Sequence, residues 1–289
     1  MTNGVSVSTL PRPGSRVWLL MLPLLVWVAT FVIAPTVLLF IYSFCQRDEL
    51  GQVVFTFTAD NYSRLFEAGM WMVFARSIIY AGATTFLCIL VGYPVAYFIG
   101  RSPSTQRQIL LMLVMVPFWS SFVVRAYAWC TILSDGGLLN GFLASLKIIA
   151  EPLNLLYTPT AVMLGLLYTY LPFMILPIYG SVEKLDTSMI EASMDLYASP
   201  WQTYWRVILP LTWPGVTAGI LLVFVPAIGM FAVTDLLGGA RVPLLGNVIQ
   251  NQFVQARNWP FGSALGIVML VMFLATYLLC SRRGVPSSN

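Results

Sequence analysis

The 289-residue sequence has no histidine, only two lysines (Lys147 and Lys184), and charged residues at just 9% of positions. A soluble domain carries about 25% Asp, Glu, Lys and Arg, so this scarcity excludes an ordinary water-soluble fold. Without histidine there is no imidazole dyad and no HExxH zinc helix. The four cysteines (Cys45, Cys88, Cys130, Cys280) stand singly in apolar stretches, without the close spacing of a metal site or a disulfide framework. Neither lysine sits in a GxxxxGK[ST] phosphate loop, and no GxSxG elbow occurs. Acids are too few within the apolar runs for a proton relay. The chain therefore lacks a P-loop, gives an enzyme little support and makes a poor proton-coupled carrier.

What is present is apolar length: 58% of residues are hydrophobic. A helix needs roughly 20 apolar residues to cross the hydrocarbon core, and six runs qualify: Val17 to Phe44, Phe74 to Gly100, Ile109 to Leu133, Thr160 to Gly180, Pro214 to Leu237 and Phe261 to Ser281. They predict an all-α polytopic membrane protein with six transmembrane helices. The first run is too long for a signal-peptide core and predicts an uncleaved helix. Residues 1–16 read as an N-terminal tail, 17–281 as one transmembrane domain and 282–289 as a C-terminal tail. Net charge is +4 with no basic block, so no nucleic-acid footprint exists. Arg12, Arg16, Arg101, Arg107, Lys184, Arg206, Arg282 and Arg283 fall on one side, against Arg47, Arg64, Lys147, Arg241 and Arg257 in longer loops on the other, and by the positive-inside rule this modest bias makes the first side cytoplasmic, both termini included. Prolines inside the runs (Pro23, Pro35, Pro94, Pro117, Pro172, Pro177, Pro226) predict kinks, from packing or from a water-lined path.

Residues 181–213 read as one organised surface loop and concentrate four of the eleven acids: Glu183, Asp186, Glu191 and Asp195. Asp186 or Thr187 can cap a short helix carrying Met189, Ile190, Met194 and Leu196 as an apolar stripe. Ser199 and Pro200 fit the start of a second helix. Such a pair either docks a partner or rests on lipid.

The same segment contains Glu191-Ala192-Ser193, then Tyr197, then Val207-Ile208-Leu209-Pro210. This resembles the EAA loop of ATP-binding cassette (ABC) importer permeases: EAA, three residues, Gly, nine residues, Ile, one residue, Leu-Pro. Spacing is intact, and the departures are Ser193, Val207 and, at the glycine position, Tyr197. Further segments resemble the spermidine/putrescine permeases: Pro117-Phe118-Trp119 with Arg125-Ala126-Tyr127, Leu171-Pro172-Phe173, Glu183-Lys184-Leu185-Asp186, Pro214-Gly215, Asp235-Leu236-Leu237-Gly238-Gly239 and Asn258-Trp259-Pro260.

The resemblance implies the type I importer (MetI-like) architecture in a bacterial inner membrane. It implies three partners: a homologous second permease, an ATPase dimer that binds the ATP and Mg, and an extracytoplasmic polyamine-binding protein. No cofactor is expected in this chain. Glu191, Ala192, Ser193, Tyr197, Leu209 and Pro210 become the ATPase-coupling residues. Tyrosine at the glycine position reaches a left-handed turn only with strain, so the turn is either remade or coupling is altered.

A polycation path needs acids or aromatic faces. Asp235, beside Gly238-Gly239 at the outer end of the fifth run, is the best acid, either receiving cargo or pairing with Arg241 or Arg257. Trp119 and Tyr127 are the aromatic candidates for the path, drawn from a wider set with Trp129, Tyr168, Tyr170 and Phe231. Arg125, inside the third run, reads as a structural charge paired with Asp135, Glu151 or Asp235. Rival readings are an importer of another solute and a stand-alone channel or proton-coupled carrier.

Overall fold

The computed structural model describes residues 15–48, 51–239 and 241–284, with side chains from 21 to 280. Arg12 and most of both tails lie outside the described residues, as do the side chains of Arg16, Arg282 and Arg283.

Among the described residues the only strands are a two-rung hairpin, Gln46–Arg47 (β1) against Val53–Val54 (β2), and helices with their connections make up the rest. Helix α1 (Met21–Ser43) is followed by α2 (Ala68–Arg101), α3 (Ser104–Trp119) and α4 (Phe122–Leu133). Next come α5 (Leu138–Ser145), α6 (Pro159–Glu183) and α7 (Thr187–Asp195). The series ends with α8 (Pro200–Gly229), α9 (Ala232–Gly238), α10 (Leu245–Val254) and α11 (Trp259–Gly284). Five of these are long and apolar enough to span a membrane, and the α3 to α5 segment makes a sixth span if counted as one bent element.

The core is the triple packing of α2, α6 and α8. Small residues let backbones approach where lipid supplies no hydrophobic drive. A Cβ on Gly215 of α8 would come within 2.5 Å of the Pro177 carbonyl of α6. The buried Tyr93 and Thr212 hydroxyls meet at 2.8 Å between α2 and α8. Helix α1 packs along α11 and is otherwise exposed within the chain.

Two prolines leave their mark one turn upstream. Proline removes an N–H and crowds the carbonyl four residues back. Before Pro35 and before Pro210 the helix widens into a π-turn, Ala29–Ile33 and Tyr204–Ile208, in which the Ala34 and Leu209 N–H groups donate five residues back to Ala29 and Tyr204. Both helices continue through their proline.

Three expectations are corrected. Ile109 to Leu133 is not one straight span: the chain is extended at Ser120 and Ser121, and the halves meet at 92°. Pro117 lacks the N–H to continue the ladder, and its own carbonyl accepts from the Arg125 guanidinium and from Ser120 Oγ (3.0 Å), so the break is satisfied locally. The fifth span starts earlier and stops earlier than Pro214 to Leu237, running Pro200–Gly229, with α9 a separate element after an extended Met230. Gly246 of α10 lies directly on the Gly229 carbonyl, which fixes that stop. Residues 181–213 are accordingly not one surface loop, since their second half is the first four turns of α8.

Candidate functional site

The segment between α6 and α8 is built from its caps. Asp186 accepts from the Ser188 N–H (2.9 Å) and starts α7. The hydrogen bond to the charged form holds the Asp186 carboxyl below its ordinary value of 3.8. Ser199 Oγ accepts from Gln202 N (3.3 Å) while Gln202 Oε1 accepts from Ser199 N (3.0 Å), a reciprocal box that starts α8 with Pro200 in its first turn. Between the two helices Tyr197 takes the glycine position with φ +59°, and the backbone N–H groups of Tyr197 and Ala198 close back on Met194 and Ser193. The left-handed turn is thus kept and the tyrosine itself makes it, its side chain 98% exposed.

Ser193, standing where the family pattern has alanine, bonds Thr203 at 3.0 Å and ties α7 to the start of α8. Thr203 is buried, so this bond anchors α7 to the spanning helix. Glu191 and Ala192 are exposed on α7; Leu209 is half-buried against the core and Pro210 is exposed. Met189, Met194, Leu196, Tyr197, Trp201 and Trp205 form an exposed apolar surface on the same segment. Glu183, at the end of α6, pairs with Arg107 of α3 at 3.0 Å and places the α2–α3 turn on the same side as α7.

Asp235 lies in α9 at the rim of a pocket of about 330 Å³ shared with Asn247, Gln250, Asn251 and Gln255. Its carboxylate accepts from Asn247 Nδ2 at 2.5 Å. Asn247 also donates to the Phe231 carbonyl (3.1 Å) and accepts from Thr234 Oγ1 (2.9 Å) and Leu244 N (3.0 Å). Among the described residues no ion pair joins Asp235 to Arg241 or Arg257, so the acid faces the pocket with a neutral amide as its partner. Asn247 was not singled out by the sequence, although Asn247, Gln250 and Asn251 recur at i, i+3 and i+4 and mark one polar helix face.

Arg125 sits in the first turn of α4, and its guanidinium finds the Pro117 carbonyl rather than Asp135, Glu151 or Asp235; its Nε has no hydrogen-bond partner among the described residues. Trp119 (74% exposed) and Tyr127 (58%) flank the break, outside the Asp235 pocket. Of the wider aromatic set, Trp129 and Tyr168 pack on each other with centroids 5.7 Å apart, and Tyr170 belongs to the buried core.

Residues 92–282 match the family described as binding-protein-dependent transport system inner membrane component. The spermidine/putrescine transport system permease protein PotB of Escherichia coli is 44% identical over 261 residues, covering 88% of this chain and 95% of PotB. The Haemophilus influenzae PotB is 45% identical over 246 residues, covering 85% and 86%. Among solved structures, a bacterial alginate ABC transporter in complex with an alginate pentasaccharide-bound periplasmic protein superposes with TM-score 0.71 at 18% identity, covering 92% of each chain; at that identity the likeness concerns the fold. The EAA-like spacing, the helical membrane fold and these matches agree: the chain belongs to the binding-protein-dependent transport system inner membrane component family, the permease subunits of ABC importers.

Proposed function

We propose that this chain carries polyamines, spermidine or putrescine, across the bacterial inner membrane as one of two permease subunits in an importer driven by a separate ATPase. The observation that carries the reading is the α7–α8 segment. It presents an exposed apolar surface on a capped helix that is hydrogen-bonded to a spanning helix, as helix-in-groove docking onto a motor requires. The cargo is suggested by the PotB relatives and by the Asp235 pocket, where a carboxylate ringed by neutral amides suits an ammonium group without locking it in a strong ion pair.

ATP and Mg are held by the ATPase dimer, whose closure pulls on α7 and reorients the helices. A second permease covers the exposed faces of α1 and of the bundle, and an extracytoplasmic binding protein delivers cargo on the α9–α10 side. Both termini and the α7 segment are cytoplasmic on this reading. Trp119 and Tyr127 offer their ring faces to the cation along the path, adding about 0.5–2 kcal/mol each depending on solvation.

The test is uptake by proteoliposomes holding the assembled transporter, supplied in turn with spermidine, putrescine, molybdate and an oligosaccharide, each with its binding protein. Polyamine uptake that Asp235→Asn lowers without loss of assembly supports the reading. Uptake of another solute in preference to polyamines refutes the cargo assignment.

A further inference from the structure

Helices α2 and α3 form a hairpin about Ser102 and Pro103, and an apolar groove of about 440 Å³ runs between its arms. Pro94 and Phe98 line one wall; Leu110, Leu113 and Val114 line the other. On α2 the stripe Pro94, Phe98, Arg101 follows the i, i+4, i+7 spacing of one helix face, and on α3 Arg107, Leu110, Val114 follows i, i+3, i+7. Beyond each wall, towards the turn of the hairpin, the same helix face carries an arginine.

The two arginines differ. Arg107 is already neutralised by Glu183 at 3.0 Å. Arg101 has only the Tyr97 ring, 5.8 Å from its guanidinium carbon, and its Nε and Nη2 are buried with no hydrogen-bond partner among the described residues. Unpartnered guanidinium donors one helical turn beyond an apolar groove are costly, and a planar donor fork fits phosphate oxygens. Seven residues separate Pro94 from Arg101, about 10 Å along the helix, within the roughly 15 Å depth of one leaflet's hydrocarbon.

We propose that the groove holds an acyl chain of an anionic phospholipid whose phosphate is bound by Arg101. Charge complementarity selects this occupant, because basic sites between helices at a cytoplasmic surface bind anionic headgroups. The Arg107–Glu183 pair puts the site on the same side as α7. Only the naming of that side rests on the transport reading, and the test measures lipid retention without transport, so the two fail separately.

The experiment titrates phosphatidylglycerol, phosphatidylcholine or inorganic phosphate into the delipidated, assembled transporter, with native mass spectrometry and thermal unfolding as readouts. One retained phosphatidylglycerol per copy of this chain and a rise in Tm specific to it are expected. Arg101→Gln lowers retention at least about tenfold, as loss of a charge-assisted hydrogen bond does. Leu113→Trp, which fills the exposed groove and leaves Arg101 in place, lowers it as well and decides the matter where Arg101→Gln does not assemble. Equal retention of phosphatidylcholine, or wild-type retention by Leu113→Trp, overturns the proposal. So does stabilisation by inorganic phosphate equal to that by the lipid, which reveals a free-anion site, or cross-linking of Leu113→Cys to the second permease, which reveals a protein occupant.

Discussion

Replacing Tyr197 with glycine separates two effects that the same residue combines. Its φ of +59° places an L side chain in the left-handed region, at a cost of about 1–2 kcal/mol. Glycine removes that strain but brings back roughly 0.5–1 kcal/mol of backbone entropy loss. Because the side chain is 98% exposed, no burial within the chain is forfeited. The net is a small stabilisation of the turn, about 0.5–1 kcal/mol. Docking changes in the opposite direction. A tyrosine contributes about 200 Å², and burying half of it in the ATPase groove at about 25 cal/mol per Å² stabilises the complex by about 2.5 kcal/mol. Tyr197→Gly is therefore expected to bind the ATPase about 70-fold more weakly while Tm holds or rises slightly. Tyr197→Phe keeps both properties, and Tyr197→Ala keeps the strain without the ring. The assay titrates ATPase onto immobilised permease pair, with Tm measured on the same preparations. Undiminished docking by Tyr197→Gly, or a clear fall in its Tm, refutes the reasoning.

Asn247→Ala removes the partners of Asp235, Thr234, Leu244 N and the Phe231 carbonyl together, so about 2–3 kcal/mol of local stability is lost; hydrogen exchange should quicken between residues 231 and 247, and unchanged protection would contradict the role. Gly215→Ala drives a Cβ to within 2.5 Å of the Pro177 carbonyl, an overpacking worth about 1–3 kcal/mol; Gly82→Ala, with nothing within 4 Å, serves as the mid-helix control and should leave Tm equal or higher. The depressed pKa of Asp186 means its cap contributes at neutral pH and is lost as pH falls through the carboxylate range to below 3.8. The protection factor of the Ser188 amide, its exchange rate compared with the intrinsic rate at the same pH, should fall on acidification in the wild type but not in Asp186→Asn, which caps without titrating.

The local chemistry of the α7–α8 segment was legible in the sequence because it is set by neighbours in the chain. Asp186, Ser199 with Pro200, and the left-handed demand at position 197 each act within three or four residues. The spans at Thr160 to Gly180 and Phe261 to Ser281 were equally plain, being long apolar runs bounded by polar residues. The 92° break was not, since Ile109 to Leu133 is apolar on both sides of Ser120 and Ser121 and the bend depends on Arg125 reaching back to Pro117. Nor was the end of α8, where the apolar run continues past Gly229 while Gly246 and Asn247, from later in the chain, impose the stop. For the same reason Asp235 was found from its charge, but its pocket and its partner Asn247 were not.

The central claim is that this chain moves its cargo only when a separate ATPase acts on the α7–α8 segment. It is tested most directly by spermidine uptake into proteoliposomes containing the whole transporter, measured with active and with hydrolysis-deficient ATPase, in the presence of a protonophore. The account predicts ATP-dependent uptake that survives the protonophore and disappears with the deficient ATPase. Uptake that continues without ATP hydrolysis, or that collapses with the proton gradient while hydrolysis proceeds, would contradict it.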